Sequence, residues 1–469
     1  MHYTLGFFGA AQTVTGSKFL LSSPLGFRVL IDCGMFQGRG SDTDRLNRHF
    51  GFDPAQVDVV LLTHAHIDHS GLLPRLVAGG FRGLILCTQP THDLCKIMLA
   101  DSAHIQEMDA RFLNKRRLSK GKRALEPLYT IDKVNTCLEA FRPIDLNEWT
   151  ELNEEIAFRW IENGHILGSS AIELLLKRQG KDLRLVFSGD VGRYQHSILK
   201  PPAAFPPPDY MICESTYGDE NHPEAEVSIE KLRQVVERTC LQRKGKIIIP
   251  AFSLGRTQEL VLALNKLVED GLLPAIPTFV DSPLSASATA VVRKYPSWYN
   301  DELKNYRLED PDPFGFESLT YIREKADSMK LNSLKGPAII IAASGMAEAG
   351  RVKHHLRNHI ENPDNAVLLV GYAEPGSLAG RLLAGQKEVS IFGEMHQVRA
   401  EVVVFKEYSA HAGQNELLRY LSSCDRSRLK KLFLVHGEQQ AQQTFKEVLL
   451  RDGYSRIEIP EMGETVELK

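Results

Sequence analysis

The sequence lacks several features that would direct it to other classes of protein. It has no apolar run long enough to span a bilayer, and its first residues do not join a basic segment to an apolar one, so we expect neither membrane insertion nor secretion. Its seven cysteines are scattered and form no Cys-x-x-Cys pair, which argues against a disulfide framework. A reducing cytoplasm is therefore the expected location.

A strong net charge is also missing. The chain has 469 residues, of which 43% are hydrophobic and 25% charged, and its formal net charge is −3. This composition is that of a globular protein long enough for two domains. One segment, 111–123, carries seven basic residues and no acidic one. It is either a solvated helix end and loop or a surface that contacts phosphates, and the sequence leaves both interpretations open.

The strongest chemical signal is a short cluster of metal-binding residues that follows the apolar run 58–63. The cluster contains His64, His66, Asp68 and His69. Imidazole and carboxylate are suitable ligands for zinc and similar cations. Because so tight a spacing cannot surround one ion, it fits two ions that share a loop. His64 and His66 would then serve one ion, and Asp68 and His69 the other.

Further metal-binding side chains follow later apolar runs. Asp190 and His436 each end a predicted strand, His165 precedes a turn of small residues, and Asp32 ends a strand near the start of the chain. Each is a weak signal by itself. Together they predict one site, because side chains at the carboxyl ends of several strands can converge in a layered α/β fold.

This order of residues resembles the metallo-β-lactamase superfamily of two-metal hydrolases. Segments 5–17 and 31–38 resemble its β-CASP branch of RNA-processing nucleases, as do the settings of Glu214, His411 and His436. That branch includes the endonuclease of the cleavage-and-polyadenylation machinery and its prokaryotic relatives. The resemblance covers nearly the whole chain.

The resemblance implies an α/β fold, a metallo-β-lactamase αββα sandwich with an inserted α/β β-CASP domain. Strand and helix patterns alternate after residue 210, which also predicts a parallel sheet covered by helices in the insertion. We predict that residues 1–208 and 391–469 form the metallo-β-lactamase domain. Residues 209–390 are predicted to form the β-CASP domain.

The resemblance also implies a role for each site residue and a cofactor of two Zn²⁺ per chain. One ion would be held by His64, His66 and His165, the other by Asp68, His69 and His436, with Asp190 bridging them and Asp32 accepting a hydrogen bond from a ligand imidazole. The expected catalytic residues are Asp68, Glu214 and His411. His411 would donate a proton to the leaving group, with Glu214 orienting its ring and raising its pKa.

Polar residues in the predicted insertion are candidates for contacts to the substrate phosphate. They are Arg256, Ser344, Gly345 and Arg381. A guanidinium can grip a phosphate with a fork of donors, and a hydroxyl with backbone N–H groups ahead of a helix can bind an anion. Each could equally be a helix cap or a member of a surface ion pair.

The predicted function is a zinc-dependent ribonuclease that hydrolyses phosphodiester bonds of single-stranded RNA, as an endonuclease or from the 5′ end. His436 favours RNA, because members of the family that act on DNA usually carry valine there. The alternatives are a hydrolase of a small substrate and a catalytically inactive RNA-binding scaffold. Relatives commonly dimerise, so the resemblance admits a homodimer, and it gives no reason to expect a membrane partner.

Overall fold

The computed structural model describes residues 2–38, 40, 42–178, 180–222, 225–371, 373–374, 376–405 and 409–469. The chain divides into two compact units. The outer unit comprises residues 1–194, 201–221 and 411–469, and the inserted unit comprises 195–200 and 222–410. Among the described residues, no helix combines the length and the apolar character needed to cross a membrane.

Strands and helices alternate through both units. The strands are β1 (Tyr3–Phe7), β2 (Phe19–Ser22), β3 (Arg28–Ile31), β4 (Val59–Leu61), β5 (Leu84–Cys87), β6 (Phe141–Pro143), β7 (Thr150–Glu151), β8 (Ile156–Glu162), β9 (Ser170–Leu176), β10 (Leu183–Phe187), β11 (Tyr210–Glu214), β12 (Lys246–Pro250), β13 (Thr278–Val280), β14 (Leu319–Tyr321), β15 (Ala338–Ala342), β16 (Ala366–Val370), β17 (Glu388–Ile391), β18 (Glu394–Gln397), β19 (Glu401–Phe405), β20 (Lys431–Val435), β21 (Ile457–Glu458) and β22 (Thr465–Leu468). The helices are α1 (Asp42–Arg48), α2 (Ile67–Ser70), α3 (Leu73–Ala78), α4 (Gln89–Leu118), α5 (Ile131–Leu138), α6 (Ala225–Val236), α7 (Arg256–Glu269), α8 (Pro283–Arg293), α9 (Asp301–Tyr306), α10 (Lys325–Lys330), α11 (Val352–His359), α12 (Leu378–Leu383), α13 (Gln414–Leu421) and α14 (Gln439–Arg451).

The outer unit is a sandwich of two seven-stranded sheets. Their strand orders are β22-β1-β2-β3-β4-β5-β6 and β21-β20-β11-β10-β9-β8-β7. A buried apolar core joins residues of both sheets, among them Phe19, Phe187 and Phe433. The second sheet packs its other face on α13 and α14, through residues such as Leu417 and Phe445. The predicted αββα sandwich is confirmed.

The inserted unit is built on a six-stranded sheet in the order β14-β13-β15-β12-β16-β19, and every pairing in it is parallel. Its central strands are continuous apolar runs, 247–249 and 339–341, and both are fully buried. Such runs are typical of parallel strands that are covered by helices on both faces. A separate antiparallel pair, β17 and β18, completes the unit.

The boundaries of the insertion differ from those predicted. Strand β11 belongs to the outer unit, because it lies between β10 and β20 and pairs in parallel with both. Strand β19 belongs to the inserted unit, because it pairs in parallel with β16. The main inserted segment is therefore 222–410 rather than 209–390, and the return to the outer unit comes at 411 rather than 391.

Candidate metal centre and acid–base pair

The strand topology of the outer unit brings most of the predicted site residues to one edge. Asp190, Glu214 and His436 lie at or just after the ends of β10, β11 and β20. These strands are parallel neighbours, so their carboxyl ends share an edge. His165 lies in the turn between β8 and β9 of the same sheet.

The loop after β4 in the first sheet carries the four closely spaced candidates His64, His66, Asp68 and His69. His66 is the N-cap of α2, and Asp68 and His69 lie within that single-turn helix. Two backbone hydrogen bonds hold this segment in place. The Ser17 N–H donates to the Asp68 carbonyl (2.9 Å), and the Cys33 N–H donates to the His69 carbonyl (2.7 Å). These bonds attach the loop to the residues just before β2 and just after β3.

Two site residues adopt left-handed backbone conformations that side chains other than glycine rarely take. The φ angle is 58° at Asp32 and 48° at His436. Backbone hydrogen bonds hold both, from Asp32 to the Leu61 carbonyl (3.0 Å) and from His436 to the Ala10 carbonyl (2.7 Å). Strained residues of this kind concentrate at functional sites, where the surrounding structure determines the direction of the side chain.

A first cluster of potential ligands contains His64, His66, His165 and Asp190. His66 Nδ1 lies 3.2 Å from His64 Nε2 and 3.1 Å from His165 Nε2. Asp190 Oδ2 lies 3.5 Å from Nε2 of both His64 and His165. The four ligand atoms thus surround one point.

A second cluster contains Asp68, His69 and His436. His436 Nε2 lies 3.2 Å from His69 Nε2 and 3.4 Å from Asp68 Oδ2. The other oxygen of Asp190, Oδ1, lies 3.2 Å from His69 Nε2 and 3.5 Å from His436 Nδ1. One carboxylate therefore presents an oxygen to each cluster.

The spacing of the ligands and the neutral state of His64 and His66 fit a tetrahedral cation. With Zn–N bonds of 2.0–2.1 Å, the edge of a tetrahedron is about 3.3–3.4 Å, close to the distances within both clusters. Burial lowers the pKa of His66 to about 4, despite the nearby carboxylates of Asp68 and Asp190. Burial and then the neighbouring His69 lower the pKa of His64 well below its ordinary value. Neutral imidazoles keep a lone pair for a metal.

Asp32 orients one of the imidazoles. Its Oδ2 accepts a hydrogen bond from His69 Nδ1 at 2.7 Å, so Nε2 faces the second cluster. Thr63, which we did not predict, fixes Asp32 in turn through its N–H (2.8 Å) and its hydroxyl (2.8 Å). The Thr63 hydroxyl also lies 3.0 Å from His64 Nδ1. Its position directly before His64 was the only signal in the sequence.

The partly buried His411 and the buried Glu214 form a pair beside the clusters. His411 Nδ1 lies 3.0 Å from Glu214 Oε2, and its ring centroid is 4.5 Å from that of His165. Burial lowers the pKa of His411, but the carboxylates of Glu214 and Asp190 outweigh this effect and raise it to about 9. A backbone hydrogen bond from Ala412 to the Val191 carbonyl (2.8 Å) places the ring close to Asp190.

Glu214 and His411 also lie near Asp190 and His436 in a third set of potential ligand atoms. However, Glu214 is already engaged by other donors, since it accepts hydrogen bonds from the Val191 N–H and the Thr216 hydroxyl as well as from His411. Thr216 also lies 3.1 Å from His436 Nδ1. A carboxylate satisfied in this way is better suited to orienting His411 than to binding a metal.

The candidate phosphate contacts in the inserted unit have different surroundings. Arg256 is only 7% exposed and forms an ion pair with Glu259 of the same helix, and Glu259 also contacts His196 Nε2 at 2.9 Å. The structure therefore argues against Arg256 as a phosphate contact, because its charge is buried and compensated inside its own unit.

Ser344 and Gly345 are half-buried and lie shortly after the end of β15, but they do not precede a helix directly. The helix that follows them, α11, begins only at Val352, and its N-cap is Arg351. The expected anion site at a helix N-terminus is thus absent at Ser344, although its hydroxyl is accessible. Arg381 is partly exposed, donates to the Gly376 carbonyl at 2.7 Å and forms an exposed ion pair with Glu348 at 3.4 Å. It remains a candidate.

Comparison with known proteins now places the chain in a family. Three family models match it: the metallo-β-lactamase superfamily over residues 19–87, the β-CASP domain over 257–382, and the Zn-dependent metallo-hydrolase RNA specificity domain over 395–460. A ribonuclease of Thermus thermophilus is 34% identical over 98% of both chains. The chain belongs to the β-CASP branch of the metallo-β-lactamase superfamily.

Two further similarities extend over most of the chain. The transcription termination factor FttA of Methanosarcina mazei is 31% identical over 92% of this chain and 66% of its own length. A crystal structure of a protein of unknown function from Enterococcus faecalis V583 matches all of this chain and all of its own, with a TM-score of 0.56 and 15% identity. The latter supports the fold alone. With its family established, this β-CASP protein is a metal-dependent nucleic-acid hydrolase.

Proposed function

We propose that this β-CASP protein is a zinc-dependent ribonuclease that hydrolyses single-stranded RNA with two metal ions. One observation carries the proposal. Asp190 presents Oδ2 to a cluster of three histidines and Oδ1 to a second cluster, and the His411–Glu214 pair lies beside both. Two ligand sets that share one carboxylate are the arrangement that two-metal phosphodiester hydrolysis requires.

The proposal assigns the following roles to the site residues. His64, His66 and His165 would hold one zinc ion, and Asp68, His69 and His436 the other, with Asp190 between them. Bound zinc ions would lower the pKa of water and stabilise negative charge on the phosphate. Asp68 keeps 20% of its side chain exposed, so it borders the space in which the phosphate would react.

His411 would supply the proton for the departing oxygen of the RNA chain. Its Nδ1–H is held by Glu214, which leaves Nε2 as the donating atom. A protonated imidazole near the reacting phosphate is suited to this role, since the leaving alkoxide is strongly basic. The Glu214 carboxylate also balances the positive charge of the His411 imidazolium before substrate binds.

The choice of RNA is supported by the RNA specificity model, which covers His411 and His436, and by the ribonuclease of Thermus thermophilus. An inactive scaffold would have lost part of this set, whereas all seven candidate ligands are present here. A small-substrate hydrolase would have no use for the inserted unit or for the His411–Glu214 pair. We also propose a cytoplasmic location, in keeping with seven buried cysteine thiols; a homodimer remains a prediction.

The test is to incubate the purified protein with end-labelled single-stranded RNA, with DNA of the same sequence and with a β-lactam. We expect RNA products on a gel, no DNA products at the same enzyme concentration and no β-lactam hydrolysis. Internal products would indicate endonuclease action, and mononucleotides from the 5′ end would indicate exonuclease action. An intact RNA with a hydrolysed small substrate would overturn the proposal.

A further inference from the structure

Helix α4 begins with partly buried residues and ends in exposed turns. Its first turn is bound to the turn that carries His165, through hydrogen bonds from the hydroxyls of Thr88 (2.7 Å) and Thr91 (2.9 Å) to the Gly168 carbonyl. The helix is 30 residues long, which corresponds to about 45 Å at about 1.5 Å per residue. Its early residues are buried, but its last two turns are largely exposed.

The end of this helix and the segment after it form a folded projection, which we call the basic arm (residues 111–125). The Asn114 amide donates to the Leu125 carbonyl (2.9 Å) and accepts from the Leu125 N–H (2.7 Å). Arg117 Nε donates to the Arg123 carbonyl at 3.1 Å. The returning chain is therefore tied to the helix, so the side chains of the arm are presented from an ordered backbone.

The basic arm concentrates positive charge in a chain of net charge −3. Its seven basic residues are Arg111, Lys115, Arg116, Arg117, Lys120, Lys122 and Arg123. Among the side chains that the structure describes, only Arg111 of this set forms an ion pair, with Glu107 at 3.1 Å. The remaining described cations have no carboxylate that neutralises them.

An exposed aromatic ring accompanies the charges. Phe112 is 76% exposed, and Ile105 and Met108 extend the apolar surface along the same side of α4. A ring at this exposure adds little to the core and is free to stack on a ligand beside the cations. Cations that track a phosphate backbone and a ring on which a base can stack are the two elements of single-strand recognition.

We infer that the basic arm is an auxiliary binding surface for single-stranded RNA, separate from the metal centre. This inference rests on the proposed function. Lys120, Lys122 and Arg123 contact phosphates, and Phe112 stacks on a base. Phe112 lies about 30 Å along the helix axis from Thr91, beside the His165 turn, at about 1.5 Å per residue. A strand that stays stacked rises about 3.4 Å per nucleotide, so RNA in this form needs roughly nine nucleotides to reach both places.

The test compares substrates of two lengths, 30 and 6 nucleotides, in steady-state cleavage at several salt concentrations. The variant is Lys120→Ala/Lys122→Ala/Arg123→Ala, whose positions are exposed and outside regular structure. The matched control, Lys181→Ala/Arg451→Ala/Arg456→Ala, removes three exposed cations elsewhere on the same unit. Thermal unfolding and metal content verify that both variants are folded.

For the arm variant we expect KM on the longer RNA to rise about tenfold at unchanged kcat. The slope of log(1/KM) against log salt should flatten by roughly 2, or about 0.7 for each cation that no longer neutralises a phosphate. Cleavage of the short RNA and all values for the control should match the parent. Phe112→Ala should raise KM on the longer RNA about tenfold. It should not change the salt slope, because stacking releases no counterions.

If both arm variants cleave the longer RNA with the KM and the salt slope of the parent protein, the inference is overturned. A change in sedimentation instead of RNA binding would assign the arm to a second copy of the chain, which also overturns it. If the parent protein cleaves no RNA, the proposed function fails. The arm is then judged separately by fluorescence anisotropy with the uncleaved 30-nucleotide RNA, where weaker affinity in the variants supports it and equal affinity refutes it.

Discussion

At the residue scale, this centre depends on side chains that act through their neighbours. Asp32 touches no candidate metal position itself, yet its 2.7 Å hydrogen bond determines which nitrogen of His69 is available. Glu214 does the same for His411. Both carboxylates are almost completely buried, at 1% exposure, so neither can be replaced by a water molecule without rearrangement.

The first prediction concerns the proton donor. His411→Ala should retain the metal content of the parent and lose roughly 10²–10⁴-fold in the rate of RNA cleavage, because it removes an acid and no ligand. Elemental analysis and single-turnover kinetics check the two parts. The exposed His104 offers a control, since His104→Ala should change neither value. Loss of zinc from the His411 variant would show that our division of roles is wrong.

The second prediction concerns the tautomer of His69. Asp32→Asn should weaken zinc binding about 10–100-fold, because an amide holds the imidazole less firmly in the ligating orientation. Competition with a chromophoric chelator measures the affinity. Asp58→Asn, at an exposed position on the same sheet, serves as the control. Equal zinc affinities for the parent and the Asp32 variant would contradict the proposed positioning role.

At the scale of elements, the metal loop is held by close backbone contact as well as by hydrogen bonds. Gly34, just after β3, lies so near the loop that an added Cβ would be 1.5 Å from the Asp68 carbonyl oxygen. Its N–H donates to the Ser17 carbonyl at 2.9 Å. This contact fixes the distance between β3 and α2, and hence the position of Asp68 and His69.

The third prediction follows from that contact. Gly34→Ala should lower the free energy of unfolding by about 1–3 kcal/mol and reduce zinc binding, since the methyl group must displace the backbone of Asp68. Urea unfolding and elemental analysis measure these effects. Gly376→Ala is a suitable control, because its methyl group would meet only the flexible carboxylate of Glu374. A Gly34 variant with parental stability and zinc content would contradict the packing argument.

At the scale of the whole molecule, every candidate ligand and the acid–base pair belong to the outer unit, although they come from all three of its chain segments. A metal bound there links residues as distant in sequence as His64 and His436. Ions that bind only the folded state stabilise it by an amount that rises with the logarithm of their affinity. The fold of the outer unit and its metal content should therefore be coupled.

The fourth prediction tests this coupling. The protein as purified should contain about two zinc ions per chain, and chelation should lower its melting temperature by several degrees, since about 4 kcal/mol is lost for a ligand at 1,000 times its Kd. Restored zinc should reverse the shift, whereas magnesium should not, because imidazole nitrogens supply at least half of the ligands in each cluster and magnesium prefers oxygen. One zinc ion per chain at full activity would rule out the two-metal mechanism.

The family, the layered α/β class and the candidate metal ligands could be predicted from the sequence alone. Those signals are local, because His64 to His69 lie within six positions and each remaining candidate lies at or shortly after the end of an apolar run. The structure was needed to show that Thr63 and Thr216 support the ligands and that Arg256 is buried against Glu259. The assignment of β11 and β19 to their sheets was likewise decided by pairing with strands distant in the chain. Periodicity along the chain shows that a segment is a strand or a helix. It does not show which neighbour the segment will pair with or in which direction a long side chain will turn, because these depend on contacts between residues far apart in sequence.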